Sequence, residues 1–273
     1  MTLIKKIFFE KYQGTGNDFV MIDDRQEQFN TNDNELVARL CHRRFGIGAD
    51  GLILLRNDEK ADFKMIYFNA DGREGSMCGN GGRCIVAFAH RLGIFKDKTI
   101  FNAIDGLHEA SIANGIVSLK MKEVDAVEQG RDFYFLDTGS PHYVSYVENL
   151  TDFDVFNKGK AIRYNERFRE KGTNVNFVER IADKHLFVRT YERGVEDETL
   201  SCGTGVTACA ITESLANPTM NGISSLGLGV GFEVKIKVMG GELAVAYHKN
   251  GLRFTNIYLK GKAEKVFEGT IQL

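Results

Sequence analysis

The sequence predicts an α+β protein of two pseudo-symmetric lobes, each a mixed, barrel-like sheet wrapped around a central helix. Three observations predict it. Two segments 124 residues apart repeat one another, Glu74-Gly75-Ser76-Met77-Cys78-Gly79-Asn80-Gly81 and Glu198-Thr199-Leu200-Ser201-Cys202-Gly203-Thr204-Gly205. Each reads Glu, three residues, Cys, Gly, a small polar residue, Gly, and each opens an apolar helical stretch. A second echo, Gly14-Thr15-Gly16-Asn17-Asp18-Phe19-Val20 against Gly172-Thr173-Asn174-Val175-Asn176-Phe177-Val178, lies at an offset of 158 residues. Either echo alone could be chance, but both together, in the same order, point to duplication. Third, short strand-like runs dominate and do not alternate with helices, which fits a parallel doubly wound sheet poorly. No shorter repeat of the solenoid or propeller kind is present.

Taken in order, Lys5 to Tyr12 and Phe19 to Asp23 read as strands flanking a loop around Asn17. Asn32 followed by Glu35 has capping-box spacing and predicts a helix through Leu36, Val37, Leu40 and Cys41 that stops near Gly46. Leu52 to Leu55 and Phe63 to Phe68 are strand-like, and Asn69-Ala70-Asp71-Gly72 is a turn. The helix after Cys78 carries Ile85, Val86, Phe88, Ala89 and Leu92 and ends near Gly93. Short strands follow over Thr99–Ala103, His108–Ile112, Ile116–Met121, Phe133–Asp137, His142–Val147, Thr173–Glu179 and Leu186–Tyr191. The helix after Cys202 carries Val206, Ala208, Ala210, Ile211 and Leu215 and ends at Asn217-Pro218. Gly231–Val238, Glu242–His248, Leu252–Tyr258 and Ala263–Phe267 complete the strands. Both cysteine-led helices are apolar around much of their circumference, the pattern of a buried helix. Duplicated lobes of this kind are expected to turn the two motif-bearing helix starts toward one cleft.

At 273 residues, 43% hydrophobic and 26% charged, the composition is that of an ordinary globular chain of one or two domains. The formal charge of −2 leaves no electrostatic footprint for nucleic acid or an anionic membrane, so neither is an expected partner. Lys5 and Lys6 precede only Ile7, Phe8 and Phe9, too short a run for a signal segment, and nothing approaches the roughly 18 apolar residues of a membrane span. Asn149-Leu150-Thr151 matches a glycosylation sequon, read as coincidence without a secretory route. Five cysteines, Cys41, Cys78, Cys84, Cys202 and Cys209, make an odd number without a framework and are expected to be reduced cytoplasmic thiols.

Matching thiols suit an enzyme that attacks one carbon from both faces. Removing a proton from the α-carbon of an amino acid leaves a poorly stabilised carbanion. No pyridoxal phosphate lysine or phosphate loop is identifiable, and the spacings Cys78-x5-Cys84 and Cys202-x6-Cys209 lack the short pairing of zinc sites; no cofactor or metal is expected. A helix N-terminus lowers the pKa of a thiol placed there, and its backbone N–H groups can hold a carboxylate whose charge grows as the proton leaves. One cysteine then acts as thiolate base and the other as thiol acid, with roles exchanged in the reverse direction.

The motifs Gly16-Asn17-Asp18-Phe19, Asn69-Ala70-Asp71-Gly72, Cys78-Gly79-Asn80-Gly81, Asn174-Val175-Asn176, Glu192-Arg193-Gly194 and Cys202-Gly203-Thr204-Gly205 resemble, over nearly the whole chain and in order, those of the diaminopimelate epimerase family. The resemblance implies conversion of LL-diaminopimelate to the meso isomer without cofactor, in lysine and peptidoglycan-precursor synthesis, and two pseudo-symmetric lobes each wrapping a sheet around a helix. It implies Cys78 and Cys202 as the acid/base pair, backbone N–H groups of Gly79, Asn80, Gly203 and Thr204 for the reacting carboxylate, and Asn17, Asn69, Asn174, Glu192 and Arg193 as substrate-binding. Arg193 suits the distal carboxylate. The expected division is 1–124 for the first lobe and 125–259 for the second, with a strand over 260–273 returning to the first; a homodimer is plausible on the same ground.

Two departures stand out. Ser140-Pro141-His142 replaces the Asn-Pro-His common in that family, and Gly51 stands where some relatives carry Gln. Simpler readings coexist: Cys41, Cys84 and Cys209 as small buried hydrophobes, Asn17 and Asn174 as turn formers, Glu192 and Arg193 as a solvated ion pair. His142 has no duplicate, and a structural role weighs at least as much for it as a catalytic one. Rival functions are a proline or hydroxyproline racemase-like or PhzF-like isomerase, a redox protein bridging Cys78 and Cys202, and, last, a Cys-His hydrolase.

Overall fold

The computed structural model describes residues 6–217, 220 and 230–272; Lys5, Pro218 and Leu273, at the ends of expected elements, lie outside them. The chain divides into two compact units, one running through Leu119 and resuming at Lys262, the other spanning Lys120–Gly261. The fold class is α+β, with mixed sheet and few helices.

In the first unit β1 (Lys6–Gly14) and β2 (Asn17–Asp23) form an antiparallel hairpin. Its turn uses left-handed backbone at Thr15 and Gly16. Helix α1 (Asn34–Cys41) leads to β3 (Gly51–Arg56), parallel to β2, and β4 (Phe63–Asn69) returns antiparallel. Helix α2 (Gly79–Arg91) precedes β5 (Lys98–Ala103), parallel to β4, followed by antiparallel β6 (Gly106–Ala113) and β7 (Ile116–Lys120). The C-terminal strand Glu264–Gln272 pairs antiparallel with β1.

The sheet is buried on both faces at β2 and β3, which explains their unbroken apolar runs. Val20, Ile22, Leu52 and Leu54 pack with Val37 and Leu40 of α1. The alternate residues Phe19 and Ile53 approach Gly81 of α2. Strands β1, β2, β3, β6 and the C-terminal strand all contact α2, so the sheet curls around that helix.

The second unit orders β8 (Glu128–Gln129), β9 (Tyr134–Asp137) and β10 (Pro141–Tyr146) antiparallel. Then come α3 (Val155–Arg163), β11 (Asn174–Ala182) parallel to β10, and antiparallel β12 (His185–Glu192). A short β13 (Asp197–Thr199) and α4 (Gly203–Ala216) precede β14 (Val230–Val238), parallel to β12, with antiparallel β15 (Gly241–Asn250) and β16 (Arg253–Lys262). Helix α4 contacts β9 through β12, β14 and β15. Setting β13 aside, the pairing order from β9 to β16 repeats that from β1 to β7.

That repetition corrects one sequence reading. Strand starts Asn17 and Pro141, Gly51 and Asn174, and the cysteines themselves stand 123 or 124 residues apart. The echo at 158 residues instead matches β2 with β11, which are not equivalent strands. The cap of α1 is also one residue later than expected: Asp33, not Asn32, accepts from Leu36 N–H. Helix α3 was not anticipated, because Gly159 interrupts its pattern at a cost of about 1 kcal/mol. The glycine is required there, since a Cβ would lie 2.4 Å from Tyr191 Cβ.

Leu54 is fully buried on the face of the sheet that packs against α1. Leu54→Ala is expected to cost about 2–5 kcal/mol, read as a lowered urea midpoint at unchanged slope; a loss below about 0.5 kcal/mol would contradict this packing.

Candidate active site

Both repeated cysteines are N-cap residues. Cys78 (φ −110°, ψ 136°) precedes α2 and Cys202 (φ −117°, ψ 111°) precedes α4; both have extended backbone, and neither side chain makes a capping hydrogen bond to its helix. Each sulfur therefore sits at the positive end of a buried helix without capping it.

In the first unit the hairpin turn delivers Asn17 to Cys78. Asn17 Nδ2 donates to Asp50 Oδ2 at 2.6 Å, and Asp50 is ion-paired with Arg43 at 2.7 Å. A carboxylate can only accept, so the Asn17 amide oxygen is turned the other way. It faces Cys78 Sγ at 3.7 Å and accepts from Asn80 Nδ2 at 3.4 Å. Arg43 also pairs with Asp18, whose carboxyl is held down at about 2: burial raises it, but hydrogen bonds and charge from Arg43 and Lys11 prevail. Asn69, at the end of β4, lies beside Gly75 in the segment that leads to Cys78, where a Cβ on Gly75 would come within 2.9 Å of Asn69 Nδ2. Gly51 admits no side chain, because its Cβ would lie 2.5 Å from the Phe68 carbonyl oxygen.

In the second unit a chain of neutral groups reaches Cys202. Asn176 Nδ2 donates to Tyr143 O (3.0 Å) and meets His142 Nδ1 at 3.1 Å. Thr190 Oγ1 donates to Asn176 Oδ1 at 3.0 Å. Nδ1 of His142 must then accept, which puts the ring proton on Nε2, 2.9 Å from Thr204 Oγ1. The Thr204 hydroxyl proton is left to point at Cys202 Sγ, 3.5 Å away. Thr138 Oγ1 donates to Thr204 O at 2.8 Å and steadies the same turn. Gly205 is needed here, since a Cβ would lie 2.4 Å from Asn176 Oδ1.

A second cluster joins Asn174, Arg193 and Ser140. Asn174 Oδ1 accepts from Arg193 N–H at 2.9 Å, and its Nδ2 donates to Ser140 Oγ at 2.9 Å. The Arg193 guanidinium donates to Lys171 O (3.0 Å) and Ser140 Oγ (3.4 Å), both neutral oxygens. Its neighbour Glu192 accepts instead from Thr199 Oγ1 at 2.8 Å, so the two do not form the solvated pair considered above. Burial raises the Glu192 carboxyl, opposed by the Thr199 hydroxyl. Asn69 and Glu192 end equivalent strands, as Gly51 and Asn174 begin them.

Within its own unit Asn17 thus meets Cys78 and Asn80, and Asn174 and Arg193 share a cluster with Ser140, whereas Asn69 lies against Gly75 and Glu192 against Thr199. The sequence reading missed Asp50, in the bend before β3, and Asn176, Thr190 and Arg83, inside strands and a helix. Cys41, Cys84 and Cys209 are buried; burial pushes the first two up to about 12 and the third well above its ordinary value, so all three remain thiols.

Burial drives the His142 pKa down to about 3, from an ordinary value of 6.5. The unfolded chain therefore takes up a proton near pH 6.5 that the folded chain refuses until about pH 3. Stability conferred by the neutral ring is complete above that window and falls as pH drops through it, at up to about 1.4 kcal/mol per pH unit. His142→Gln is expected to flatten this slope by up to one proton in denaturant titrations across the window; an unchanged slope would contradict the buried neutral ring.

The chain matches the model of the family described as diaminopimelate epimerase over residues 9–129 and 134–266. It is 53% identical over 262 residues to the diaminopimelate epimerase of Flavobacterium psychrophilum, covering 96% of this chain and 98% of that one. With the Chlorobaculum tepidum enzyme of the same name it shares 45% over 270 residues, covering 95% and 99%. Among solved structures it superposes on a PhzF-family phenazine biosynthesis protein of Bacillus anthracis with a TM-score of 0.76 at 14% identity, covering 98% and 100%. A hydroxyproline epimerase of Agrobacterium vitis gives a TM-score of 0.68 at 14% identity, covering 100% and 94%. These structural likenesses establish the fold alone. The length and identity of the sequence matches establish more: this chain belongs to the diaminopimelate epimerase family.

Proposed function

We propose that this chain is a two-base epimerase that converts LL-2,6-diaminopimelate to the meso isomer without cofactor, in lysine and peptidoglycan-precursor synthesis. The observation that carries the reading is the pair of N-cap cysteines at equivalent places in two equivalently ordered units, within a chain of this family. One sulfur, as thiolate, takes the α-proton; the C–H electron pair passes into the carboxylate. The other, as thiol, returns a proton to the opposite face, leaving thiol and thiolate exchanged. N–H groups of Gly79, Asn80, Gly203 and Thr204 receive the carboxylate as its charge grows.

Asn17 and Asn69 in one unit, and Asn174 and Glu192 in the other, orient the substrate, with oxygens for its ammonium groups. Arg193, bonded to neutral oxygens, meets the distal carboxylate as a bidentate donor. A proline-type substrate offers that guanidinium nothing, which favours the diamino diacid over the proline racemase-like alternative. The substrate is a free small molecule and the setting cytoplasmic, with a homodimer as the assembly. No helix among the described residues is long and apolar enough to cross a membrane.

The test is incubation with LL-diaminopimelate in D₂O. Meso product with one deuterium at the inverted carbon is expected, and its absence would defeat the proposal. Cys78→Ala and Cys202→Ala should each lower epimerisation by at least about a hundredfold with the fold retained; near-normal turnover in either would defeat the two-base assignment.

A further inference from the structure

Helix α2 carries a wholly buried guanidinium that no acid among the described residues answers. Arg83 has 0% exposure and reaches back along its own helix. Nη1 donates to Gly79 O at 3.3 Å, and Nη2 to Thr15 Oγ1 at 2.9 Å and Asn80 Oδ1 at 3.1 Å. Its Nε has no hydrogen-bond partner among the described residues. Burial pulls its pKa down, and the charges that oppose this are sulfurs, Cys84 and Cys78, not carboxylates. A buried cation held only by neutral oxygens is unfavourable, because its lost hydration is not repaid by an opposite charge. The cost is peculiar to this half of the chain. At the equivalent place on α4 stands Thr207, whose Oγ1 donates to Gly203 O at 2.9 Å as Arg83 donates to Gly79 O.

Of the two sulfurs, Cys84 is fully buried and pushed up to about 12, so it stays a thiol. Cys78 is half-buried at the helix start itself. The remaining titratable groups brought by packed strands already have partners or stay neutral. Lys11 of β1 and Asp18 of β2 pair with each other, and Asp18 and Asp50 with Arg43. Tyr12, on β1, is pushed up to about 12 by burial. His108 of β6 is tied to Asp105. Glu10 pairs with Arg91 at the far end of the helix.

We propose that Arg83 is a positioning residue that supplies the counter-charge for the Cys78 thiolate, placing a full positive charge beneath the N-terminus of α2. The guanidinium acts through space and through Asn80, whose amide oxygen it holds while Asn80 Nδ2 bonds to Asn17 beside the sulfur. Its charge adds to that of the helix dipole. The proposal rests on the epimerase reading only for the purpose of the thiolate; its test needs no substrate.

In a Cys202→Ala background, iodoacetamide labelling of Cys78 is followed by peptide mass spectrometry from roughly pH 5 to 10, the range in which thiols ionise. Arg83→Met should move the rate profile to higher pH and slow labelling at neutral pH roughly tenfold, the effect of one unit in thiol pKa. Arg83→Lys should restore most of it. Labelling of Cys202 in a Cys78→Ala background should be unchanged by Arg83→Met. A folded Arg83→Met protein whose Cys78 profile superposes on its parent overturns the proposal, as does a loss of unfolding midpoint without a change in profile, the mark of a purely structural role. If neither variant folds, the two parent profiles decide, since both sulfurs sit at helix starts and only Cys78 has a buried guanidinium beneath it: a Cys78 midpoint in the Cys202→Ala protein below that of Cys202 in the Cys78→Ala protein supports the proposal, and one at or above it overturns it. Failure of the D₂O assay would remove the epimerase reading and leave this labelling result standing.

Discussion

A helix enclosed by its own sheet cannot turn its first N–H groups toward water as a surface helix does, and most of what surrounds the two cysteines follows from that. Burial of α2 and α4 fixes a positive pole inside each unit. An N-cap serine or aspartate would answer that pole with its own side chain. Cysteine at the same position does not: Cys78 and Cys202 leave their helix starts without a side-chain cap. The pole is thereby directed at the sulfur and at whatever anion approaches beside it. The curled sheets supply the rest by ending or beginning strands at that pole, which is why Asn17, Asn69, Asn174 and Glu192 all occupy strand termini.

The sequence made the chemistry legible because cysteine, glycine and the helix that follows them are neighbours in the chain. The offset of 124 residues between the cysteines recurs in the strands, so that echo reflects equivalent structure. The echo at 158 residues does not. Its shared Gly-Thr and Phe-Val portions describe a turn entering a buried strand, and any such strand attracts that composition. What stayed hidden depends on partners distant in the chain. Asn176 reads as one residue of a β-run until His142 and Gly205 are seen around it, and Asp50 reads as a loop acid until it takes the amide of Asn17. Gly159 works the other way: poor for a helix taken alone, it is what lets α3 dock on Tyr191.

Equivalent strand order has not produced equivalent surroundings. The Cys78 region is ionic, with Lys11, Asp18, Arg43 and Asp50 in one network and Arg83 beneath the helix. The Cys202 region is neutral, with His142 kept uncharged by burial and linked through Thr204 to the sulfur. The hydrogen-bond polarity differs too: an amide oxygen faces one thiol, and a hydroxyl proton faces the other.

That inequality is compatible with a reaction needing two interchangeable bases. What exchange of roles requires is a small difference in proton free energy between the two thiols with substrate present, not matching side chains around them. One pKa unit is about 1.4 kcal/mol, comparable to a single charge-assisted hydrogen bond. At Cys78 an amide oxygen favours the thiol and a buried cation favours the thiolate. At Cys202 a hydroxyl donor and the helix pole favour the thiolate, while close burial of the sulfur opposes it. Each site sets favourable against unfavourable terms, so duplicated helix starts can diverge in composition without giving up the exchange of roles that the proposed mechanism asks of them.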